Sequence, residues 1–421
     1  MERPSDRDDL SCPGCYSWRF RLQEMMVRES TPYKKKIIGL FPQLLGIGGI
    51  QEAGRLTAAA LDEIAFQRGW LVEFLSLNDP LGGHDLEAGQ RTITFRGFGR
   101  GKMRFLIAGV GAGRPFATKS TGFVLAGHPN LAVVSNWTRR MSPYLQTIVM
   151  AHGVEVWQPL TLLRSRALVQ AHRVLAPSDD TVHKLVKVQG VSPERIRKLP
   201  WPMNPIFLRL AEARGDLCVP RGFPKEARVI LTVGRSAASE RYKGTDELIR
   251  AVPQLVTIVP GLHLVAVGGG DDLPRLKQLA VDLRVADRVH FLANLSNEEL
   301  GACYAHADLF ALPSTGEGFG LVFLESMAFS KPVVATTSGG TPDLVEDGIN
   351  GLLVPPGNAS ALVHALARLL CDESLRRELG RRGEEIVRRK FRFAVFQSTL
   401  ARILDESESG IGEPRSAPEV L

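Results

Sequence analysis

The chain has few of the features that would place it in several protein classes. Its 421 residues include five cysteines: Cys12, Cys15, Cys218, Cys303 and Cys371. An odd, sparse set excludes a disulfide-stapled scaffold and suits a reducing compartment. Cys12 and Cys15 form a close pair, but no second pair or spaced histidine pair completes the four ligands of a structural zinc site. No stretch approaches the roughly 20 apolar residues of a membrane-spanning helix. The uncharged run Ile37–Ile50 follows Lys34, Lys35 and Lys36, as in a secretion signal, but it begins late and contains Pro42 and four glycines. A buried strand and a glycine turn account for it better.

What is present resembles an average soluble protein. Apolar residues make up 44% and charged residues 23%, which excludes a wholly disordered chain and a collagen-like repeat. The length predicts roughly two or three domains. Glycine is abundant, at 41 residues, so turns of close backbone approach carry weight. The net charge of +7 is unevenly spread. Residues 1–32 carry 5 basic and 6 acidic side chains, residues 33–200 carry 22 and 11, and the remainder carries 25 and 28. The excess therefore lies in the first half of the folded chain. It points to an anionic partner (membrane surface, nucleic acid or phosphorylated substrate), with a merely solubilising surface as the plainer reading.

Residues 1–33 are polar and aperiodic and read as a flexible extension, with Met25 or Met26 as alternative starts. Residues 408–421 read as a flexible tail. Between them, short apolar runs alternate with helical patterns. Strands are predicted at Ile37–Phe41, Trp70–Leu77, Leu131–Val134, Thr147–Met150 and Arg173–Ala176, with a helix from about Gln51 to Gln67. Such alternation implies a parallel sheet covered on both faces. Pro200, Pro202, Pro205, Pro220 and Pro224 interrupt it and mark a linker. It restarts with strands at Arg228–Val233, Leu262–Val267, Val289–Leu292, Leu309–Leu312 and Pro332–Ala335 and a helix over Thr245–Val256. The expected architecture is α/β, with two tandem Rossmann-like domains and an interdomain cleft. The domains are placed at 34–200 and 226–390, with a linker at 201–225 and a C-terminal helix at 391–407 packing back on the first domain. In such sheets ligands bind at the carboxyl ends of the strands.

The richest segment is Pro313-Ser314-Thr315-Gly316-Glu317-Gly318-Phe319-Gly320, running into Leu321–Ala328. A strand, a glycine loop and a helix start offer free backbone N–H groups and a positive dipole end to phosphate. Gly318 and Gly320 permit close backbone approach. Glu317 can accept hydrogen bonds from sugar hydroxyls near that phosphate, and Glu325 can hold a vicinal diol such as a ribose. Val233-Gly234-Arg235 ends a strand and Lys243-Gly244 precedes a helix. Arg235 and Lys243 can place two cations beside one diphosphate, the first as a planar fork and the second as a point charge. Val267-Gly268-Gly269-Gly270 and Ser338-Gly339-Gly340 are further glycine turns at strand ends on the same rim.

The order Gly-Arg, Lys-Gly, Pro-Ser-x2-Glu-Gly-Phe-Gly, Glu-x7-Glu, Lys-Pro-Val-Val-Ala and Gly-Gly resembles the glycogen-synthase-like (group 1) family of retaining glycosyltransferases, which have the GT-B fold. The resemblance covers roughly residues 35–407 and is densest from Arg228 to Gly357. It implies that Arg235 and Lys243 bind the donor diphosphate and stabilise the leaving nucleotide. It further implies that Glu317 contacts the donor sugar, that Phe319, Gly320 and Leu321 present backbone amides, and that Glu325 binds the ribose. The base would lie near Gly268, Gly269 and the turn Leu292-Ala293-Asn294-Leu295. In the first half, the Gly48-Gly49 turn would approach the donor phosphate and the acceptor. His152, at a strand end before Gly153, resembles the histidine that faces the reacting sugar.

The implied function is transfer of a hexosyl group from a nucleotide-diphosphate sugar to an acceptor hydroxyl, in polysaccharide, glycolipid or cell-envelope biosynthesis. The donor is a substrate, and no further cofactor is expected. Asp-x-Asp, which holds a divalent ion in transferases of another fold, occurs only as Asp6-Arg7-Asp8 in the extension, so no catalytic metal is expected. The alternatives are a two-Rossmann sugar-nucleotide epimerase, a phosphorylase, and a non-catalytic sugar-nucleotide-binding protein. The expected partners are the donor and a carbohydrate or lipid-linked acceptor. No nucleic-acid motif accompanies the dispersed basic residues. Arg91, Arg96, Arg100, Lys102 and Arg104, with Phe95, Phe98 and Phe105 interleaved, are the candidate contact with an anionic membrane. The expected location is cytoplasmic, with peripheral docking on the inner face of the plasma membrane as one reading and a solvated basic face as the other.

Overall fold

The apolar run that opens the first half becomes strand β1 (Lys35–Phe41), buried from Ile37 onward. Burial on both faces is what a sheet sandwiched between helices demands. The computed structural model describes residues 35–88, 91–114, 121–224 and 227–409. The readings made for residues 1–33, including the Cys12–Cys15 pair and Asp6-Arg7-Asp8, and for the tail beyond residue 409 lie outside these.

The first sheet continues with β2 (Leu71–Ser76), β3 (Gly82–Ala88), β4 (Arg91–Gly97), β5 (Thr121–Ala126), β6 (Leu145–Met150), β7 (Arg173–Ala176) and β8 (Ile196–Lys198). Its order is β3-β4-β2-β1-β5-β6-β7-β8, parallel except for the β3–β4 pair. The second sheet holds β9 (Arg228–Val233), β10 (Leu262–Val267), β11 (Val289–Leu292), β12 (Leu309–Leu312), β13 (Val333–Thr336) and β14 (Gly351–Val354). Its order is β11-β10-β9-β12-β13-β14, parallel throughout. Both orders reverse beside their first strand, between β1 and β5 and between β9 and β12. That reversal opens the crevice where α/β sheets bind ligands. The molecule is thus a two-Rossmann, GT-B-type α/β protein.

Five points of the sequence reading need correction. Leu131–Val134, predicted as a strand, forms the end of a 3-10 turn and the start of the helix Ala132–Met141. Its buried residues Ala132, Ser135 and Thr138 recur at helical spacing, and Thr138 bonds the carbonyls of Val134 and Gly109. Tertiary packing here outweighs the strand preference of a Val-Val pair. One of the two strands beside β1 is β5, which the sequence reading omits, as it does the β3–β4 hairpin.

The linker is not bare chain. It carries the helix Pro205–Glu212, capped by Asn204, which buries Phe207 and Ala211. Glu408, read as the first tail residue, belongs to the last helix, Phe393–Ser409, and ion-pairs with Lys35. That helix buries Phe396, Leu400, Ile403 and Leu404 on one stripe and packs on the helix Gly49–Arg68 of the first sheet. Arg68–Asp405 (2.7 Å) and Arg197–Glu406 (3.0 Å) hold its polar side to the same half. Finally, Phe95, Phe98 and Phe105 are 2–3% exposed. They are core residues, so they offer nothing to a membrane.

Candidate active site

At the carboxyl end of the second sheet, three strand ends interlock through glycine. The Gly234 N–H donates to the Val267 carbonyl (2.9 Å) and the Gly268 N–H to that of Leu292 (2.7 Å). Gly268 has φ +137°, and a Cβ there would overlap the Gly234 carbonyl. The close approach and the positive φ both require glycine. The chain then passes Arg235 and makes a kinked 3-10 turn over Ala238–Lys243. Glu240 in that turn is buried and ion-pairs with both Arg235 and Lys243, with Lys243 Nζ 3.0 Å from Oε2. The two predicted cations therefore meet on one carboxylate. Sequence reasoning missed Glu240. Its signal was an acidic residue three positions before Lys243, on the loop that returns from Arg235.

The glycine loop after β12 lies against this turn, with the Thr315 N–H donating to the Tyr242 carbonyl (2.8 Å). Glu317 is half-buried, and its carboxyl pKa is raised, first by burial and then by Glu240, against the opposing pull of Lys243. Its carbonyl accepts from the Gly340 N–H (2.7 Å). Gly320, at φ +93°, starts the helix Leu321–Ala328 with no side-chain cap, which leaves N–H groups at the helix start open to an anion. Phe319 is buried against Phe391.

Glu325 lies one turn into that helix and accepts a hydrogen bond from the Tyr304 hydroxyl (2.8 Å). Burial pushes its carboxyl up to about 7, Tyr304 pulls it down, and Glu52 of the first sheet pushes it further up. Should Glu325 accept ribose hydroxyls as a carboxylate, donor affinity falls as pH drops through about 7. Tyr304→Phe removes the bond that favours the charged form, so the break moves to higher pH. The donor KM measured against pH in both proteins checks this.

In the first sheet, Asp79 holds up the turn after β1. It is fully buried and accepts from the Leu44 N–H (2.6 Å), the Leu45 N–H (3.1 Å) and the Ser76 hydroxyl (2.6 Å). Arg55 donates to the Leu44 and Gly46 carbonyls at 2.9 and 2.7 Å. Gly48 then starts the helix Gly49–Arg68, again without a side-chain cap, and the space beside Gly49 is open. Glu52 in its first turn accepts from the linker residue Asn204 (2.6 Å).

His152 follows β6. Its Nε2–H donates to the Gly127 carbonyl (2.8 Å), leaving Nδ1 as the second ring nitrogen. Nδ1 is buried and has no hydrogen-bond partner among the described residues. The ring sits between His128 and Trp201, at centroid separations of 6.0 and 5.3 Å. Burial, foremost, drives His128 down to about 4, so it is neutral near pH 7. His128 escaped the sequence reading because β5, whose end carries it, was not recognised.

The two sheets touch at these loops. Gly153 (φ +135°) packs directly on Gly318, and a Cβ on Gly318 would overlap the His152 carbonyl. The Ser178 hydroxyl donates to the Gly318 carbonyl (2.8 Å). Trp157 lies over Gly316, and Lys198 joins Asp179 (2.8 Å) and Asp343. The structure thus gathers Arg235, Lys243, Gly268 and Glu317 on one rim, sets His152 against that rim, and brings the start of the Gly49 helix within electrostatic range of Glu325. Gly269 faces Ala293, across which Asn294 turns at φ +56°.

The fold and the paired glycine rims define a two-Rossmann sugar-transferase architecture, and comparison with known proteins agrees. The family model for glycosyl transferases group 1 matches residues 219–386. A GDP-mannose-dependent alpha-(1-6)-phosphatidylinositol monomannoside mannosyltransferase of Mycobacterium tuberculosis is 38% identical over 330 residues, covering 68% of this chain and 85% of that one. A D-inositol 3-phosphate glycosyltransferase of Corynebacterium jeikeium is 42% identical over 166 residues, 38% of this chain and 39% of that one. Among solved structures, sucrose-phosphate synthase of Thermosynechococcus elongatus superposes with a TM-score of 0.69 at 24% identity, covering 89% of this chain and all of that one. HepE of Anabaena, solved with UDP, gives 0.66 at 20%, covering 88% and 100%. The chain belongs to the group 1 glycosyltransferase family.

Proposed function

We propose that the protein transfers a hexosyl group from a nucleoside-diphosphate sugar to an acceptor hydroxyl, retaining the anomeric configuration, in the assembly of an envelope glycolipid or polysaccharide. The observation that carries this reading is the Gly153–Gly318 contact, which seats the His152 backbone against the loop of Glu317, itself in electrostatic range of Lys243. In this reading Arg235 and Lys243 hold the donor diphosphate and neutralise the leaving nucleotide. The N–H groups of Phe319, Gly320 and Leu321 assist them, with Gly48 and Gly49 closing from the first sheet. Glu325 takes the ribose hydroxyls, Gly268 and Gly269 flank the base, and Glu317 and His152 face the sugar.

The acceptor oxygen bonds to the anomeric carbon as the bond to phosphate breaks on the same face. The electron pair leaves with the phosphate oxygen, which takes the acceptor's proton. This route needs no protein nucleophile, and the two cations supply the charge that a divalent ion supplies elsewhere, so EDTA leaves the rate unchanged. The 38% identity to a GDP-mannose-dependent enzyme makes GDP-mannose the first donor to try and an inositol-lipid acceptor the first partner.

The deciding experiment incubates purified protein with labelled GDP-mannose, UDP-glucose or ADP-glucose, with and without a lipid extract and EDTA. Acceptor-dependent product with the donor's anomeric configuration supports the proposal. Sugar epimerised without acceptor favours the epimerase reading, and binding without any turnover favours a binding protein.

A membrane surface as partner rests on a corrected set of residues. Between Glu87 and Glu155 the sequence has no acidic residue and nine basic ones. The helices Lys102–Ala112, Ala132–Met141 and Leu162–Val169 pack side by side over this region and beyond it. They and the turn after the second expose Met103, Ile107, Trp137, Met141, Tyr144, Leu162 and Leu163, with Lys102, Arg104, Arg140, Arg164 and Arg166 exposed among them. Apolar side chains edged by basic ones suit an anionic bilayer surface. Among the described residues no helix is long and apolar enough to cross a membrane. The protein is expected to sediment with phosphatidylglycerol vesicles at low salt, and Ile107→Glu with Met141→Glu to weaken this at least tenfold. Equal sedimentation of wild type and variant removes this surface from the reading.

A further inference from the structure

Glu240 is the one feature of the cation turn that the donor-binding reading leaves without a role. A buried carboxylate between the two side chains meant to hold a diphosphate is, at first sight, a competitor of the donor. It is 8% exposed and bonds Arg235 through one oxygen, with Lys243 3.0 Å from the other. Arg235 itself is 65% exposed at its side chain, so its fork has open space beside it, whereas Lys243 is 19% exposed and lies over Gly234. The turn that carries Glu240 is fixed from two sides. The Glu240 N–H donates to the Ala237 carbonyl (2.8 Å), and the next residue, Arg241, is clamped by Asp272, 2.7 Å from its Nη2. Asp272 is in turn gripped by Arg275 (2.6 Å). The carboxylate is therefore held in place, while one of its two cations, Arg235, borders solvent.

We propose that Glu240 is a built-in counter-ion, a positioning residue that holds Arg235 and Lys243 together when no diphosphate is present and competes with the diphosphate for them when it is. Two like charges confined to one rim repel each other, and a fixed carboxylate between them removes that cost in the empty protein. The same carboxylate lowers the affinity for the donor and for the nucleoside diphosphate that remains after transfer. Its consequence is a trade of binding strength for release, with Arg235 swinging from Glu240 to the phosphate and back. Glu240 also repels the Glu317 carboxylate, so its charge is felt one position closer to the sugar.

This inference rests on the donor-binding reading and fails separately from it. GDP and UDP are titrated calorimetrically into full-length wild type, Glu240→Gln and Glu240→Asp, alongside melting temperature and donor kcat and KM. Glu240→Gln, which keeps size and one acceptor oxygen but loses the charge, is expected to bind the nucleoside diphosphate at least about tenfold more tightly. Its donor KM should fall and its kcat fall with it as release slows, while Glu240→Asp restores the wild-type pattern. A merely structural Glu240 would instead lower the melting temperature and weaken binding, which overturns the proposal. So does unchanged or weaker binding by a Glu240→Gln protein of wild-type stability. If wild type binds none of GDP, UDP and ADP, the donor-site reading itself is lost.

Discussion

Lys243→Ala and Arg235→Ala are each expected to lower glycosyl transfer by about 10²–10³-fold, the range seen when one preorganised charge-stabilising donor is removed from a reacting centre. The argument turns on where charge develops. As the bond from the anomeric carbon to phosphate breaks, negative charge gathers on the departing diphosphate, and these two side chains converge on one carboxylate, Glu240, with Lys243 in electrostatic range of Glu317. Because that charge is larger in the transition state than in the bound donor, kcat and kcat/KM should fall together. The fold should survive. Arg235 is largely exposed, and Lys243 belongs to a surface turn whose shape is kept by Asp272 and by the bond from Thr315 to Tyr242. Initial rates at saturating donor, with a melting curve for each variant, check this. Wild-type turnover in either one removes that residue from the mechanism.

Gly318→Ala should be nearly as damaging, through geometry alone. A Cβ at this position would overlap the His152 carbonyl and crowd Gly153, both backbone atoms that have no rotamer to change. The loop of Glu317 must then move away from the first sheet, losing the Ser178 bond to the Gly318 carbonyl. A displacement of about 1 Å at a reacting centre costs on the order of 10²-fold, and transfer should fall by at least that. Binding of the nucleoside diphosphate should change several-fold at most, because Arg235, Lys243 and Glu325 all sit on the second sheet. Gly215→Ala, where a Cβ meets nothing within 4 Å, is the control. Transfer at the wild-type rate by Gly318→Ala would show that the contact between the two loops is not the reactive arrangement.

Much of the second half could be read from the sequence because its signals are local. The run Arg228–Val233 is apolar enough to be a buried strand and is one, and the glycines at 268 and 320 mark strand or helix ends where a side chain would collide. Pro313 to Glu325 shows its strand, loop and helix directly in residue order. The first half was harder. Val133 and Val134 suggest a strand, but the burial of Ser135 and Thr138 against neighbouring helices makes them helical. Phe95, Phe98 and Phe105 look like an aromatic, basic surface only while their direction is unknown, because alternation along a strand and spacing along a helix both turn them inward.

By itself the sequence determined the class: two wound sheets, two rims of glycine, and the cations and carboxylates of a group 1 glycosyltransferase. Only the tertiary structure decided which groups share a site. Tyr304 meets Glu325 from another helix, the His152 carbonyl meets the Glu317 loop from another sheet, and Glu240 turns inward to join two cations that chain order merely places nearby. Motifs are written by backbone requirements within a few residues, whereas partners across a cleft are set by packing between segments whose distance along the chain carries no information about their distance in space.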